Sequence, residues 1–248
     1  MPFRLAPMCL LVCLAAPAIA AERPASLVRL PEPAGLARLV LPDTPAPPPL
    51  VIILPDALGE DGRSEAYVDA LLLRGIGSLV LGLAEDSDAS TSPTDPAASP
   101  GAVAPALAWA RDAGFEPAHI GLMGFGLGGR AALMADADGL PVASLYPGCP
   151  GLPARAGTSM ILQGAKERGG CEAVEQLPGV TLHLFPGAWH GWDALGAVSP
   201  FAGPMLPDPF GAGRLRARPD PTVTQEASAM IGAWFEEQLL APAHSAAR

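Results

Sequence analysis

Short apolar runs alternate with helix-like segments along most of this chain. The runs LVIIL at 50–54 and SLVLGL at 78–83 are almost continuously apolar, as is typical of strands buried on both faces of a sheet. A helical pattern, SEAYVDALLLRG, lies between them at 64–75. Strands that alternate with helices indicate parallel β-α-β connections. The sequence therefore predicts an α/β protein, with a mostly parallel central sheet and helices on both faces.

The same alternation continues through the rest of the chain. Ser64 and Gly75 are typical of the residues that begin and follow a helix, so we expect Ser64 to cap the helix at 64–75. The polar, Pro-rich stretch 85–101 is predicted to be a surface loop, and 201–221 is a second long, irregular loop. Loops of this length are often either functional lids or disordered, and both alternatives stay open here. Further strands are expected at 36–41, 119–123, 142–146, 159–163 and 180–185, and further helices near 101–113, near 128–136 and within 222–240.

Residues 1–20 have the pattern of a secretory signal peptide. Arg4 precedes a short apolar core, and small residues stand at Ala18 and Ala20. The apolar core is shorter than the ~20 residues of a membrane-spanning helix, so no membrane anchor is expected. Cleavage after Ala20 would leave residues 21–248 as a single α/β domain, located in the periplasm or secreted.

Composition narrows the classes of partner. The formal net charge is −10, which disfavours nucleic acids and anionic membranes. The histidines show neither H-x-H nor H-E-x-x-H spacing, so no metal is expected. A small molecule is the expected partner, and the sequence says nothing about oligomeric state.

After removal of the signal peptide, Cys149 and Cys171 are the remaining cysteines. In an oxidising compartment, two thiols favour one disulfide. The alternative is two unpaired buried thiols. Sequence spacing alone does not decide between them, because a disulfide requires Cα atoms within about 7 Å.

The segment HIGLMGFGLGGRAALM at 119–134 passes from an apolar run through a cluster of glycines into a helical pattern. It fits either a dinucleotide-binding G-x-G-x-x-G loop or a nucleophile elbow, G-x-S-x-G, with Gly126 in place of the serine. A dinucleotide site requires the first β-α-β unit and an acidic residue at the end of the next strand. Several strands precede these glycines, and no Asp or Glu lies within 143–151. The elbow is therefore favoured, and no cofactor is predicted.

A nucleophile elbow is followed along the chain by an acid and then a histidine, each just beyond a strand. Glu167 follows the predicted strand at 159–163, and His190 lies in PGAWHGWD after the last predicted strand. These two residues are the candidate acid and base. Trp189 and Trp192 flank the histidine, and either line a pocket or pack the loop.

Several of these segments resemble the dienelactone hydrolase family of the α/β-hydrolase fold. The resemblance extends from about residue 50 to 240 and rests on LVIILPDALG, GLMGFGLGGRAAL, YPGC, LQGAKE and above all FPGAWHGWD. It implies that His190 is the base, that Glu167 stands where the family usually has Asp, and that Gly126 stands where the family has Cys or Ser. It also implies an oxyanion hole formed by the amide of Leu127 and an amide near Ala57, in a loop that lacks the family's usual His-Gly.

Without a side chain at Gly126, the covalent acyl-enzyme route has no attacking atom, and whether the protein is an enzyme stays open. One hypothesis is a pseudoenzyme or strongly impaired relative that keeps a pocket for an ester- or lactone-like ligand. The other is an active hydrolase of small esters or lactones, in which His190 and Glu167 activate water and the Leu127 amide stabilises the oxyanion. A nucleotide-binding oxidoreductase would require tight binding of a nicotinamide or flavin cofactor.

Overall fold

The structure is a computed structural model that contains one eight-stranded sheet and a separate two-stranded hairpin. It describes residues 25–83, 96–135, 137, 139–167, 171–195, 203–211 and 213–240. The predicted signal peptide at 1–20 and most of the stretch at 85–101 lie outside the described residues.

The large sheet has the order β1-β2-β4-β3-β5-β6-β7-β8. Its strands are β1 (Ala25–Arg29), β2 (Leu36–Val40), β3 (Leu50–Leu54), β4 (Gly77–Val80), β5 (Ile120–Phe125), β6 (Val142–Leu145), β7 (Ser159–Gly164) and β8 (Val180–Phe185). Strands β4, β3, β5, β6, β7 and β8 pair in parallel, whereas β1 pairs antiparallel with β2 and β2 pairs antiparallel with β4. The predicted mostly parallel sheet is confirmed, and β1 was not predicted.

Helices cover both faces of the sheet. They are α1 (Glu65–Leu72), α2 (Val103–Asp112), α3 (Gly126–Met134) and α4 (Pro221–Leu240). One apolar core lies against α2 and α3, and the other lies against α1 and α4. Strand β3 contributes Leu50, Ile52 and Leu54 to the first core and Val51 and Ile53 to the second. The period-2 alternation of a strand thus explains why LVIIL is apolar throughout.

Two local predictions need correction. Ser64 does not cap α1, because its backbone is already helical and its hydroxyl donates to Glu60 Oε1 at 2.9 Å. The stretch 201–221 is not wholly irregular, since it contains an antiparallel hairpin of β9 (Met205–Pro207) and β10 (Arg214–Arg216). Within the described part of the chain, no helix has the length and apolar character of a membrane span.

A disulfide links Cys149 to Cys171, with the Cα atoms 4.8 Å apart. The prediction of one disulfide is therefore confirmed, and the alternative of two unpaired thiols is wrong. Cys149 lies in the loop after β6 and Cys171 in the loop after β7. The bond therefore connects two loops at the same edge of the sheet.

This edge also collects the residues of the candidate site. Asp56 follows β3, Gly126 follows β5, Tyr146 follows β6, Glu167 follows β7 and His190 follows β8. Parallel strands place all their carboxyl ends on one side of a sheet, which is where ligands bind in open α/β folds.

Candidate active site

The turn from β5 into α3 has the geometry of a nucleophile elbow. Gly126 has φ +50°, a left-handed conformation that is strained for a residue with a side chain and easy for glycine. The helix packs closely under the β3 loop, because a Cβ on Gly128 would lie 1.8 Å from the Pro55 carbonyl oxygen. Gly126 therefore allows the sharp turn, and Gly128 allows the helix to approach the β3 loop closely. The central residue of the elbow, Gly126, has no side-chain nucleophile.

His190 and Glu167 form a buried pair. The Nδ1 atom of His190 is hydrogen-bonded to Glu167 Oε1, and the two side chains are 3% and 2% exposed. Burial raises the pKa of the Glu167 carboxyl, the hydrogen bond and charge of His190 oppose that rise, and Asp208 adds to it. Neither His190 Nε2 nor Glu167 Oε2 has a hydrogen-bond partner among the described residues. The acid and the histidine expected from the sequence thus lie in direct contact.

Asp56 occupies the position that the elbow leaves open. Its Oδ1 accepts hydrogen bonds from the amides of Ala57 at 2.8 Å and Leu127 at 3.2 Å. A Cβ placed on Gly126 would lie 2.6 Å from the same Oδ1. The two amides expected to form an oxyanion hole therefore do converge, and an internal carboxylate fills the space between them.

The register of the sheet explains this meeting. Leu54 of β3 pairs with Gly124 of β5. Asp56 lies two residues beyond Leu54, and Gly126 lies two residues beyond Gly124. The two turns consequently leave the sheet side by side. The carboxylate lies above the first turn of α3, where the helix dipole and the unpaired amides favour a negative charge.

A buried arginine holds the other side of this carboxylate. The guanidinium of Arg63 donates through Nη1 to Asp56 Oδ2 at 3.2 Å, and its other nitrogens bind Asp61. The Arg63 and Asp56 side chains are 2% and 0% exposed. Burial alone would lower the pKa of Arg63, but Tyr146 and the surrounding acids raise that pKa well above its usual value. The charge of Asp56 is thus compensated within the protein.

Tyr146 connects the Asp56 side of the site with the His190 side. Its ring centroid is 4.8 Å from that of His190 in an edge-on arrangement, and its hydroxyl accepts a hydrogen bond from Arg63 at 3.2 Å. It has φ +42°, the one left-handed φ of a non-glycine residue in the described ranges. Such strain persists where surrounding contacts fix the residue, and here the hydroxyl also donates to Asp193.

Asp193 is the acceptor at the centre of this buried cluster. Tyr67 donates a hydrogen bond to Oδ2 at 2.9 Å, and Tyr146 donates to Oδ1. Burial raises the pKa of Asp193, with Arg63 and both tyrosines opposing the rise. Burial, followed by the charge of Asp193, also raises the pKa of each tyrosine well above its usual value.

A cavity of about 220 Å³ lies beside the His190–Glu167 pair. Arg218 stacks on the ring of Trp189, with its Cζ atom 3.7 Å from the ring centroid. The lining residues are Lys166, Glu167, Trp189, His190, Leu215, Arg216 and Arg218. Three of these come from the 201–221 stretch, so that stretch covers part of the site.

Trp192, the other flanking tryptophan, is not among the residues that line this cavity. It is 1% exposed, its ring packs edge-on against Tyr146 and Phe185, and its Nε1 donates to the Tyr67 hydroxyl at 3.4 Å. It borders a separate, more open cavity of about 560 Å³ between α1 and α4. Its contacts are those of a core residue that packs the His190 loop.

The sequence reasoning did not single out Asp56, Arg63 or Tyr146. The available signal was the acid in PDALG, directly after the first buried strand and at the loop expected to supply an oxyanion amide. Among the described residues, no group of three or more His, Cys, Asp or Glu side chains could hold a metal ion. The residues that contact Asp56 are backbone amides and a cation, which suit an anion.

Comparisons with solved structures show similarity to hydrolases. A dienelactone hydrolase from Anabaena variabilis is 18% identical, with a TM-score of 0.58 over 88% of this chain and 98% of that chain. An esterase from Pyrobaculum calidifontis is 14% identical, with a TM-score of 0.60 over 88% of each chain. A carboxyl esterase from Tuber melanosporum is 13% identical, with a TM-score of 0.60 over 92% of this chain and 90% of that chain.

At these identities the similarity shows the fold alone, and the α/β-hydrolase fold expected from the sequence is confirmed. No protein-family model and no curated protein matches the sequence. The solved structures that are similar in fold include an alpha-beta serine hydrolase homologue from Coxiella burnetii, esterases and a dienelactone hydrolase.

Proposed function

We propose that this α/β-hydrolase-fold protein is a non-catalytic or strongly impaired relative of the dienelactone hydrolases that keeps a small-ligand pocket. The observation that carries the proposal is the elbow itself, where Gly126 has no side chain and the Asp56 carboxylate fills the space that a side chain would enter. Covalent acyl transfer requires a nucleophilic atom at this position. Neither Gly126 nor the adjoining turn supplies one.

The state of the oxyanion hole supports the same conclusion. Amides that stabilise an oxyanion must be free to bind the substrate oxygen. The amides of Ala57 and Leu127 instead bind Asp56 Oδ1, so an ester carbonyl would have to displace a buried carboxylate held by Arg63. Acyl-transfer chemistry therefore lacks its nucleophile at Gly126, and Asp56 occupies its oxyanion hole.

The ligand pocket is the cavity beside the His190–Glu167 pair. Its volume of about 220 Å³ is below the roughly 300–1,000 Å³ typical of drug-sized ligands, which favours a small molecule. Trp189 offers an apolar wall, and His190 and Arg216 offer polar contacts. A compact ester- or lactone-like molecule fits this combination.

A second candidate function is direct hydrolysis of small esters or lactones by activated water. It is favoured by one observation: His190 Nδ1 is bonded to Glu167, while Nε2 has no partner among the described residues. A histidine held in this way can take a proton from water. Hydrolases that lose triad residues can retain ~10³ to 10⁴-fold catalysis over water, so weak turnover is physically reasonable.

We also propose that the protein is exported, with residues 1–20 as a signal peptide cleaved after Ala20. The disulfide between Cys149 and Cys171 supports this, because stable disulfides are typical of the periplasm and of secreted proteins. Mass spectrometry of the protein recovered from an expressing cell tests the cleavage. A mature N-terminus at Ala21 is expected, and a retained Met1 in the exported fraction would contradict it.

The function is tested by hydrolysis of a panel of aryl acetates and small lactones by the purified mature protein, beside His190→Ala and the control His119→Ala. His119 is exposed and lies at the opposite edge of the sheet, before β5. We expect the wild type and both variants to be equally inactive. Turnover that His190→Ala abolishes and His119→Ala retains would overturn the proposal and establish water-based hydrolysis.

A further inference from the structure

Three hydrogen-bond donors converge on the Asp56 carboxylate from three parts of the chain. The Ala57 amide comes from the β3 loop, the Leu127 amide comes from the first turn of α3, and the Arg63 guanidinium comes from the segment before α1. Two of them bind Oδ1 and the third binds Oδ2. Both oxygens of one carboxylate are thus held in a site that is closed to solvent.

We propose that these donors form a binding site for a small carboxylate, that Asp56 is its built-in occupant, and that free formate takes its place once the Asp56 carboxylate is removed. The inference deepens and rests on the proposed function, since an oxyanion hole that already binds the Asp56 carboxylate cannot bind the acyl oxygen of a substrate. According to this inference, two features prevent acyl transfer: Asp56 blocks the oxyanion hole, and Gly126 lacks a nucleophile.

Local turn geometry does not account for this arrangement. An aspartate often bonds to nearby amides of its own turn, and the bond to Ala57 is of that kind. The Leu127 amide, however, is 71 residues away along the chain, and Arg63 brings a full positive charge into the interior. Burial of an ion is costly unless it is paired and hydrogen-bonded, and here each donor satisfies the same anion.

The charges around the site are consistent with one bound anion. Arg63 faces the carboxylates of Asp56 and Asp61 and the hydroxyl of Tyr146. Asp61 is the more exposed partner, with a side chain 35% exposed against 0% for Asp56. Removal of Asp56 therefore leaves Arg63 hydrogen-bonded to the carboxylate of Asp61 alone, with Asp193 as a further negative charge nearby. It also creates an unfilled position next to two free amides.

Formate is the matched probe, because Asp56→Ala deletes one carbon and two oxygens, which are the heavy atoms of formate. We expect the melting temperature of Asp56→Ala to rise with the logarithm of formate concentration, as for a ligand that binds the folded state alone. Sodium chloride at the same ionic strength should not reproduce the rise. If Asp56→Ala folds only when formate is present, that dependence would equally show that formate stabilises the folded variant.

Two control variants isolate the site. Asp61→Ala also removes a carboxylate from Arg63 but leaves Asp56 between the amides, and Asp56→Asn keeps a side-chain oxygen in the hole. Neither should respond to formate more than the wild type does. An Asp56→Ala protein that is stabilised no more than these controls would overturn the inference.

A second measurement uses catalysis, rather than thermal stability, as its readout. Gly126→Ser alone places its Cβ 2.6 Å from Asp56 Oδ1, whereas Asp56→Ala/Gly126→Ser gives the serine room and frees both amides. Since one oxyanion donor is worth about 10²-fold or more in kcat, we expect aryl acetate hydrolysis by the double variant to exceed that of Gly126→Ser by about 10²-fold. Equal rates in the two variants would show that Asp56 does not close the hole.

These outcomes are distinguishable from failure of the proposed function. His190-dependent turnover by the wild type would refute the proposed function, whatever the effect of formate on Asp56→Ala. A wild type without activity, together with an Asp56→Ala variant that ignores formate, would instead leave that proposal standing and refute the anion site.

Discussion

The Asp56 carboxylate lies where a side chain on residue 126 would begin. The separation between a Cβ at Gly126 and Asp56 Oδ1 would be 2.6 Å, well inside van der Waals contact. The Asp56 carboxylate therefore fits on the β3 loop because residue 126, at the elbow, is a glycine, and a larger residue there would collide with it. This relationship, more than the absence of a serine alone, distinguishes the site from that of a serine hydrolase.

Gly126→Ala should destabilise the protein for two separable reasons. A side chain at φ +50° costs roughly 1–2 kcal/mol in the left-handed region. The collision with Asp56 adds about 1–3 kcal/mol, as overpacking does in a buried site. Urea unfolding of the variant against the wild type measures the sum.

Gly35→Ala is the matched control for that substitution. Gly35 has φ +65°, and a Cβ there would have nothing within 4 Å, so its substitution carries the backbone cost alone. In an Asp56→Ala background the cost of Gly126→Ala should fall towards that of Gly35→Ala. Additive effects of Gly126→Ala and Asp56→Ala would contradict the contact between the two side chains.

Arg63→Met should cost about 3–5 kcal/mol, because it leaves the Asp56 charge buried with no cation. The same change at Arg38, whose ion pair with Glu65 is 20% and 44% exposed, should cost at most about 1 kcal/mol. Denaturant unfolding of both variants makes the comparison. Equal losses would show that the Arg63–Asp56 pair behaves as a surface pair.

Asp193→Asn should change how stability depends on pH. Burial raises the folded-state pKa of Asp193, so its contribution is fully present below the ordinary pKa of about 3.9. That contribution is lost as the pH rises through the folded value. Arg63, Tyr67 and Tyr146 are the titratable groups that face it, and asparagine resembles the protonated acid.

The free energy of unfolding of Asp193→Asn, relative to that of the wild type, should therefore increase as the pH rises from about 4 towards neutral. Urea titrations of both proteins across this range measure it. Other carboxyl groups titrate in both proteins and cancel in the difference. A wild type that gains stability over the variant as the pH rises would reverse the sign and contradict the account.

The disulfide should contribute to stability and to the position of Glu167. It closes a loop of 22 residues, for which chain entropy predicts about 3 kcal/mol, and Glu167 lies within this loop. Cys149→Ala/Cys171→Ala should lose about that much, and a reductant should bring the wild type to the same level. A reductant that also weakens the alanine variant would point to another cause.

The sequence was sufficient for most of the fold and for the contact between Glu167 and His190. Apolar strands such as β3 are readable because both faces are buried, and chain order alone indicated Glu167 and His190 after successive strands. β1 was missed because ASLVR is short, mixed in character and mostly exposed at the sheet edge, so neither periodicity nor composition marks it.

Asp56 could not be assigned its place from sequence, because the place depends on a non-local register. Only the pairing of Leu54 with Gly124 brings the two turns together, and no local pattern encodes that pairing. Arg63 and Tyr146 were missed for the same reason, since they bond to each other across 83 residues and Tyr146 bonds to Asp193 across 47. Chain order predicts which strand a residue follows, but not which side chain fills a shared space.

The most direct test of the central claim is the intact mass of the mature protein after incubation with a fluorophosphonate, which labels activated serine nucleophiles. Asp56→Ala/Gly126→Ser, with and without His190→Ala, serves as the positive control. We predict no adduct on the wild type and one adduct on the double variant that requires His190. An adduct on the wild type that His190→Ala removes would reveal a competent nucleophile and contradict the account.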